Sequence, residues 1–189
     1  GGGSMNEREL SEEIENACRR VKQAHLDRIR ALGVTSTTIA TLGHVQAPFG
    51  VMEVDNIGGG IFQPGGAIPA IVQPIYDDGC LIDLVAWRTN DPTAWLWRTG
   101  AAWALGVDAI EASSWTDAPL AIDATPLDWL RGAATGLCVL NWSAPEIRTL
   151  LRVKSITAEP AIARQLRGAL MKPVCFPEIT ARETQRNAA

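Results

Sequence analysis

The spacing of apolar and polar residues changes character three times along this chain. Over residues 6–32, Ile14, Ala17, Val21, Ala24, Ile29 and Leu32 recur near helical spacing, which predicts an amphipathic helix or a pair of helices stopped by Gly33. Early acids (Glu7, Glu9, Glu12, Glu13) and later bases (Arg19, Arg20, Lys22) follow the preference set by the helix dipole. Residues 35–43 predict a further short helix packed on the first. After Gly50 the pattern breaks into short β-prone pieces. Residues 51–57 and 61–63 flank Gly58-Gly59-Gly60 and predict a hairpin. A phosphate-loop reading of the same glycines lacks the Gly-Lys-Ser/Thr ending and a following helix. Residues 68–97 then predict an antiparallel meander. Strands 70–76 and 80–87 are joined by Asp77-Asp78-Gly79, and a turn at Thr89-Asn90-Asp91-Pro92 leads into a strand at 94–98.

The third regime runs from Pro119 to Pro173, where short apolar strands alternate with capped helices. Strand 120–122 is followed by Thr125-Pro126-Leu127-Asp128, an N-cap hydroxyl, a first-turn proline and an acid three residues past the cap. Strand 137–140 is followed by a second box, Ser143-Ala144-Pro145-Glu146. Strand 153–156 is followed by Thr157 or Glu159 as the cap of a helix that ends before Pro173. This alternation predicts a parallel sheet with right-handed crossovers, flanked by helices. Open α/β sheets bind ligands at the carboxyl ends of their strands, so the candidate crevice comprises Asp123, Ala124, Thr125, Asn141, Ser143, Thr157 and Glu159.

The organisation expected is a four-residue vector remnant (1–4), an N-terminal helical segment (5–48), a β-rich hairpin subdomain (49–118), an α/β core (119–176) and a flexible tail (177–189). No apolar run reaches membrane-spanning length and no secretory pattern is present, so no membrane association and a cytoplasmic location are expected. Four widely spaced cysteines, Cys18, Cys80, Cys138 and Cys175, contain no Cys-x-x-Cys pair and argue against structural zinc. Cys80 and Cys138 lie in apolar strands and read as small buried hydrophobes.

The net charge of −4 is unevenly distributed. Residues 34–145 hold eleven acids and three arginines (−8), residues 146–189 eight bases and four acids (+4), and the N-terminal helical stretch six of each. The basic C-terminal third is the candidate contact for nucleic acid, set against an ordinary solvated helix face carrying Arg164, Arg167 and Lys172. Five of the seven tryptophans, Trp87, Trp95, Trp97, Trp103 and Trp115, fall close together. They read as a subdomain seam or as aromatic anchors for a protein partner or a second copy of the chain. His25 reads as a surface or half-buried histidine, and His44 has no recognisable chemical partner.

From Gly66 to Pro173 the order of features resembles the Toprim (topoisomerase–primase) domain of phage- and plasmid-type primases. GAIPAIVQPIYDDGCLIDLVAW resembles that family's hairpin module, PLAIDATPLDWL its acid-ended strand and helix, and SITAEPAIARQLRGAL its last strand, acidic motif and arginine-bearing helix. The resemblance implies two-metal phosphoryl chemistry with a glutamate after the first strand and an Asp-x-Asp pair after the third. Here Asp123 stands in place of the glutamate, Ala124 where glycine is usual, and Thr157-Ala158-Glu159 in place of Asp-x-Asp. The expectation is a degenerate, non-catalytic accessory or interaction module of phage, prophage or plasmid origin, associated with replication. The alternative is a divergent Mg²⁺-dependent enzyme on nucleic acid or nucleotides that uses Asp123 and Glu159, the two candidate ligands for weakly held Mg²⁺.

Overall fold

A computed structural model of the chain describes residues 7–43 and 48–173. The N-terminal amphipathic stretch forms a pair of helices, α1 (Glu7–Arg19) and α2 (Gln23–Ala31), and α3 (Ser36–Gly43) follows. His44 and Cys175 lie outside the described residues.

Five strands come next: β1 (Gly50–Gly58), β2 (Ile61–Pro64), β3 (Ile68–Asp77), β4 (Cys80–Arg88) and β5 (Asp91–Trp97). The expected hairpin layer is in fact a closed barrel in the order β1-β2-β5-β4-β3. Its antiparallel ladders are closed by one parallel bridge, Ile61↔Trp97, where Trp97 N–H donates to Gly60 O at 2.8 Å. Gly58, Gly59 and Gly60 have φ of +93°, +63° and +77°, so the triglycine is a left-handed turn that other residues enter only under strain. Alternation along the strands gives the barrel two apolar faces. Met52, Val54, Phe62, Val72, Leu84 and Ala86 fill its interior, and α1 plugs it with Leu10, Ile14 and Ala17. Ile71, Ile75, Val85 and Trp87 point outward and are covered by the rest of the chain. Cys80 opens β4 and is exposed, contrary to its reading as a core residue, because it sits directly after the Asp78-Gly79 turn.

The second unit contains β6 (Ala104–Leu105), α4 (Asp108–Trp115), β7 (Leu120–Asp123), α5 (Pro126–Arg131), β8 (Leu137–Val139), a 3₁₀ helix (Pro145–Arg152), β9 (Ile156–Ala158) and α6 (Pro160–Leu170). The sheet order is β6-β8-β7-β9, with β8, β7 and β9 parallel and β6 antiparallel at the edge. The chain is therefore α/β, a mixed sheet flanked by helices beside an antiparallel barrel. This unit begins at Ala104 rather than Pro119, because Ala104↔Val139 and Leu105↔Cys138 pair within it.

Local signals set the first crossover: Thr125 Oγ1 accepts the Asp128 N–H at 3.1 Å and caps α5. The second box does not form. Ala144 holds the N-cap position, and the Ser143 N–H turns back to Asn141 Oδ1 at 3.0 Å. The third strand starts later than expected, at Ile156. Val153 ends the 3₁₀ helix and packs on the core, and pairing begins only where Leu120↔Ile156 meets β7. Thr157 thus lies within the strand, and Glu159 takes the N-cap position of α6 without a side-chain cap bond.

The tryptophans form the seam between the two units rather than a surface patch. Trp87 is fully buried and its Nε1 donates to Gln73 Oε1 at 2.6 Å. Trp95 and Trp97 pack with Ile75 and Val85 of the barrel against Leu105, Cys138 and Leu140 of the sheet. Trp103 packs on the sheet's other core. Trp87 has no surface left for a partner, while Trp95, Trp97 and Trp103 are half-buried, with much of each ring turned into the protein. Trp115, 83% exposed, remains at the surface.

One buried carboxylate fixes the passage from barrel to sheet. Asp83 on β4 is fully buried and accepts the N–H groups of Leu84 (2.8 Å), Thr99 (2.9 Å), Ala101 (2.9 Å) and Ala102 (3.3 Å). Nearby, Arg98 makes a two-pronged pair with Glu13 of α1 at 2.9 and 3.0 Å. Asp83→Ala leaves buried N–H donors without acceptors and is expected to cost at least about 3 kcal/mol in chemical denaturation. A loss below about 1 kcal/mol, the size of one ordinary hydrogen bond, would contradict this role.

Candidate functional site

The three parallel strands bring Asp123–Thr125, Asn141–Ser143 and Thr157–Glu159 to one edge of the sheet, as the sequence pattern predicts. The register Ile122↔Ala158 makes Asp123 and Glu159 neighbours along adjacent strand ends. Their side chains are placed differently. Asp123 is half-buried, and its Oδ2 sits 2.9 Å from where a Cβ on Gly136 would lie and 3.8 Å from one on Gly132. Both glycines belong to the α5–β8 connection, so the carboxylate turns toward β8, on the side of β7 away from β9. Gly136 is needed there for close approach: a Cβ would also fall 2.7 Å from Ala121 O. Glu159 is exposed.

Several crevice groups are engaged in local structure. The Thr125 hydroxyl accepts the Asp128 N–H and donates to Asp128 Oδ2 at 2.8 Å. Asn141 Oδ1 holds the Ser143 N–H, and the Asn141 N–H goes to Trp103 O at 2.9 Å. Asp128 is paired with Arg131 at 2.7 Å. Asp123 has neither an ion pair nor a hydrogen-bond partner among the described residues. Burial, and secondly the Asp128 charge, push its carboxyl above the ordinary range. Cys138 beside it is fully buried, and its thiol is driven far up by burial, so it behaves as a packed apolar group. Among the described residues no three His, Cys, Asp or Glu side chains group so as to hold a metal.

A second polar feature escaped the sequence reading. Gln73 lies fully buried in the seam on β3. Its Oε1 takes the Trp87 indole N–H, and its Nε2 has no partner among the described residues. It lines a recess of about 370 Å³ with Cys18, Tyr76 and Trp129. The signal was available as a lone amide inside the apolar run Ile71-Val72-Gln73-Pro74-Ile75.

In comparisons with known proteins the chain matches no family model, no curated protein and no solved structure. No helix among the described residues is long and apolar enough to cross a membrane.

The state of Asp123 gives a signed prediction. Because the folded chain holds this proton more tightly than the unfolded chain does, the stabilising contribution is complete below the ordinary carboxyl value of 3.8 and is lost as pH rises through the raised value. Asp123→Asn should therefore raise the melting temperature at pH 7, with the gain shrinking toward zero below pH 4. A variant destabilised equally at both pH values would show that the carboxylate is held by partners instead.

Proposed function

We propose that this chain is a non-catalytic, Toprim-like accessory module of phage, prophage or plasmid origin that works by binding, in association with replication. The observation that carries this reading is the unlike setting of the two carboxylates at the sheet edge, Asp123 half-buried against Gly136 and Glu159 exposed. A metal-dependent phosphoryl-transfer site needs acids converging on one cation, with oxygens about 2–2.5 Å from it. Here Asp123 leans toward Gly136 with its charged form disfavoured, Glu159 leaves the neighbouring strand into solvent, and Thr157 stands where the resemblance implies a third acid. The Thr125 hydroxyl that could orient a ligand is committed to its helix cap.

The acidic middle of the chain supports the same reading, because it repels phosphates near this edge unless a cation neutralises it. Trp115, the most exposed tryptophan among the described residues, is left at the surface for a protein partner or a second copy of the chain.

A panel of nuclease, primase and nucleotidase assays with Mg²⁺ and Mn²⁺ is expected to show no turnover, and calorimetry with millimolar Mn²⁺ no heat dependent on Asp123 or Glu159. Metal-dependent turnover lost in Asp123→Asn would replace this proposal with the divergent Mg²⁺ enzyme.

A further inference from the structure

The basic residues of the N-terminal helices look balanced in sequence but are not balanced in space. The turn between α1 and α2 crosses the barrel beside β1 and β3 and leaves a recess of about 760 Å³. Its lining takes in Val51, Met52, Ala70 and Ile71 of β1 and β3, of which Met52, Ala70 and Ile71 are buried, and its exposed rim carries Arg19, Arg20, Lys22 and Arg28, with Arg88 at the end of β4. Glu53 is the acid in this lining, so five cations face one carboxylate in a chain of net charge −4. Arg19 is paired with Glu15 at 3.4 Å. Arg20, Lys22, Arg28 and Arg88 form no ion pair among the described residues.

Helix stability explains only part of this arrangement. Cations suit the C-terminal turns of α1 and α2, which accounts for Arg19, Arg20 and Arg28. Lys22, however, occupies the N-cap of α2, the end where positive charge is unfavourable, and the first turn of α2 holds no acid. Arg88 comes from another element altogether. His25 adds a donor: its Nδ1 accepts the Lys22 N–H at 2.9 Å, so the neutral ring carries its proton on Nε2.

We propose that this recess binds a single strand of nucleic acid, with its phosphates on the basic rim. Lys22 and Arg28 lie six residues apart, about 9 Å along α2, and Arg88 joins them from β4, so the charge is spread along the groove. Cations spread along a groove suit consecutive phosphates of one strand. A duplex is a stiff rod with a persistence length of about 50 nm and would meet only the rim of a concave recess. The lining of this recess contains none of the crevice residues, so the inference does not rest on the reading of the sheet edge.

The test is fluorescence anisotropy with labelled oligothymidylate and the whole chain. Binding should weaken with added salt, with a log–log slope near −3 for about four phosphate contacts on a single strand. The exposed pair Arg20→Glu and Arg28→Glu should lower affinity at least about tenfold with unchanged circular dichroism. Arg164→Glu with Arg167→Glu on α6 should leave it unchanged. A duplex of equal length and free ATP should both compete poorly. Undiminished binding by the Arg20/Arg28 variant, loss in the α6 variant, a duplex preferred to the single strand, or displacement by equimolar ATP would each overturn the proposal.

Discussion

The Asp83 carboxylate is the interaction on which the arrangement of the two units depends. A buried acid without a cation is tolerable only when backbone donors surround it, and Leu84, Thr99, Ala101 and Ala102 supply them. Three of those donors, Thr99, Ala101 and Ala102, lie where the chain leaves the barrel and enters the sheet. By holding them on β4, Asp83 directs Ala104–Leu105 into pairing with β8. Arg98 and Glu13 extend the same junction to α1, so the helical plug, the barrel and the sheet meet around one polar node.

This junction also decides what the tryptophans do. Trp97 donates its indole N–H to Ala102 O at 3.0 Å, directly beside the Asp83 node, and Trp129 donates to Gly136 O at 2.8 Å. Both rings pack in the seam with the polar atom satisfied, as buried indoles require. The Trp129–Gly136 bond also steadies the connection against which Asp123 packs. Packing in the seam and the disposition of the crevice carboxylate are thus linked through one short segment.

The parts legible in the sequence are those encoded locally. The turn at Asp78-Gly79, the triglycine and the Thr125 cap each follow from a few adjacent residues, and so do α1, β7 and β8. The parts missed depend on distant partners. β9 begins at Ile156 and not at Val153 because β7 sets its register, while apolar spacing alone suits either start. β6 is two residues long and has no pattern to detect until Val139 and Cys138 lie beside it. Period two placed Trp95 and Trp97 on one strand face but could not say that the sheet covers it. The crevice segments were brought together as expected, whereas the direction of the Asp123 side chain depends on Gly136. The basic recess was hidden because Arg88 is remote in sequence from the helix bases it joins.

The central proposal is that this chain binds through its N-terminal groove and not through its sheet edge. The most direct measurement is backbone amide chemical-shift mapping by NMR during titration with oligothymidylate in the presence of Mg²⁺. The account predicts shifts concentrated at Arg19–Arg28 and Arg88–Asn90, with the amides of Asp123–Thr125 and Thr157–Glu159 unmoved. Shifts centred on the sheet edge, with the groove silent, would contradict it.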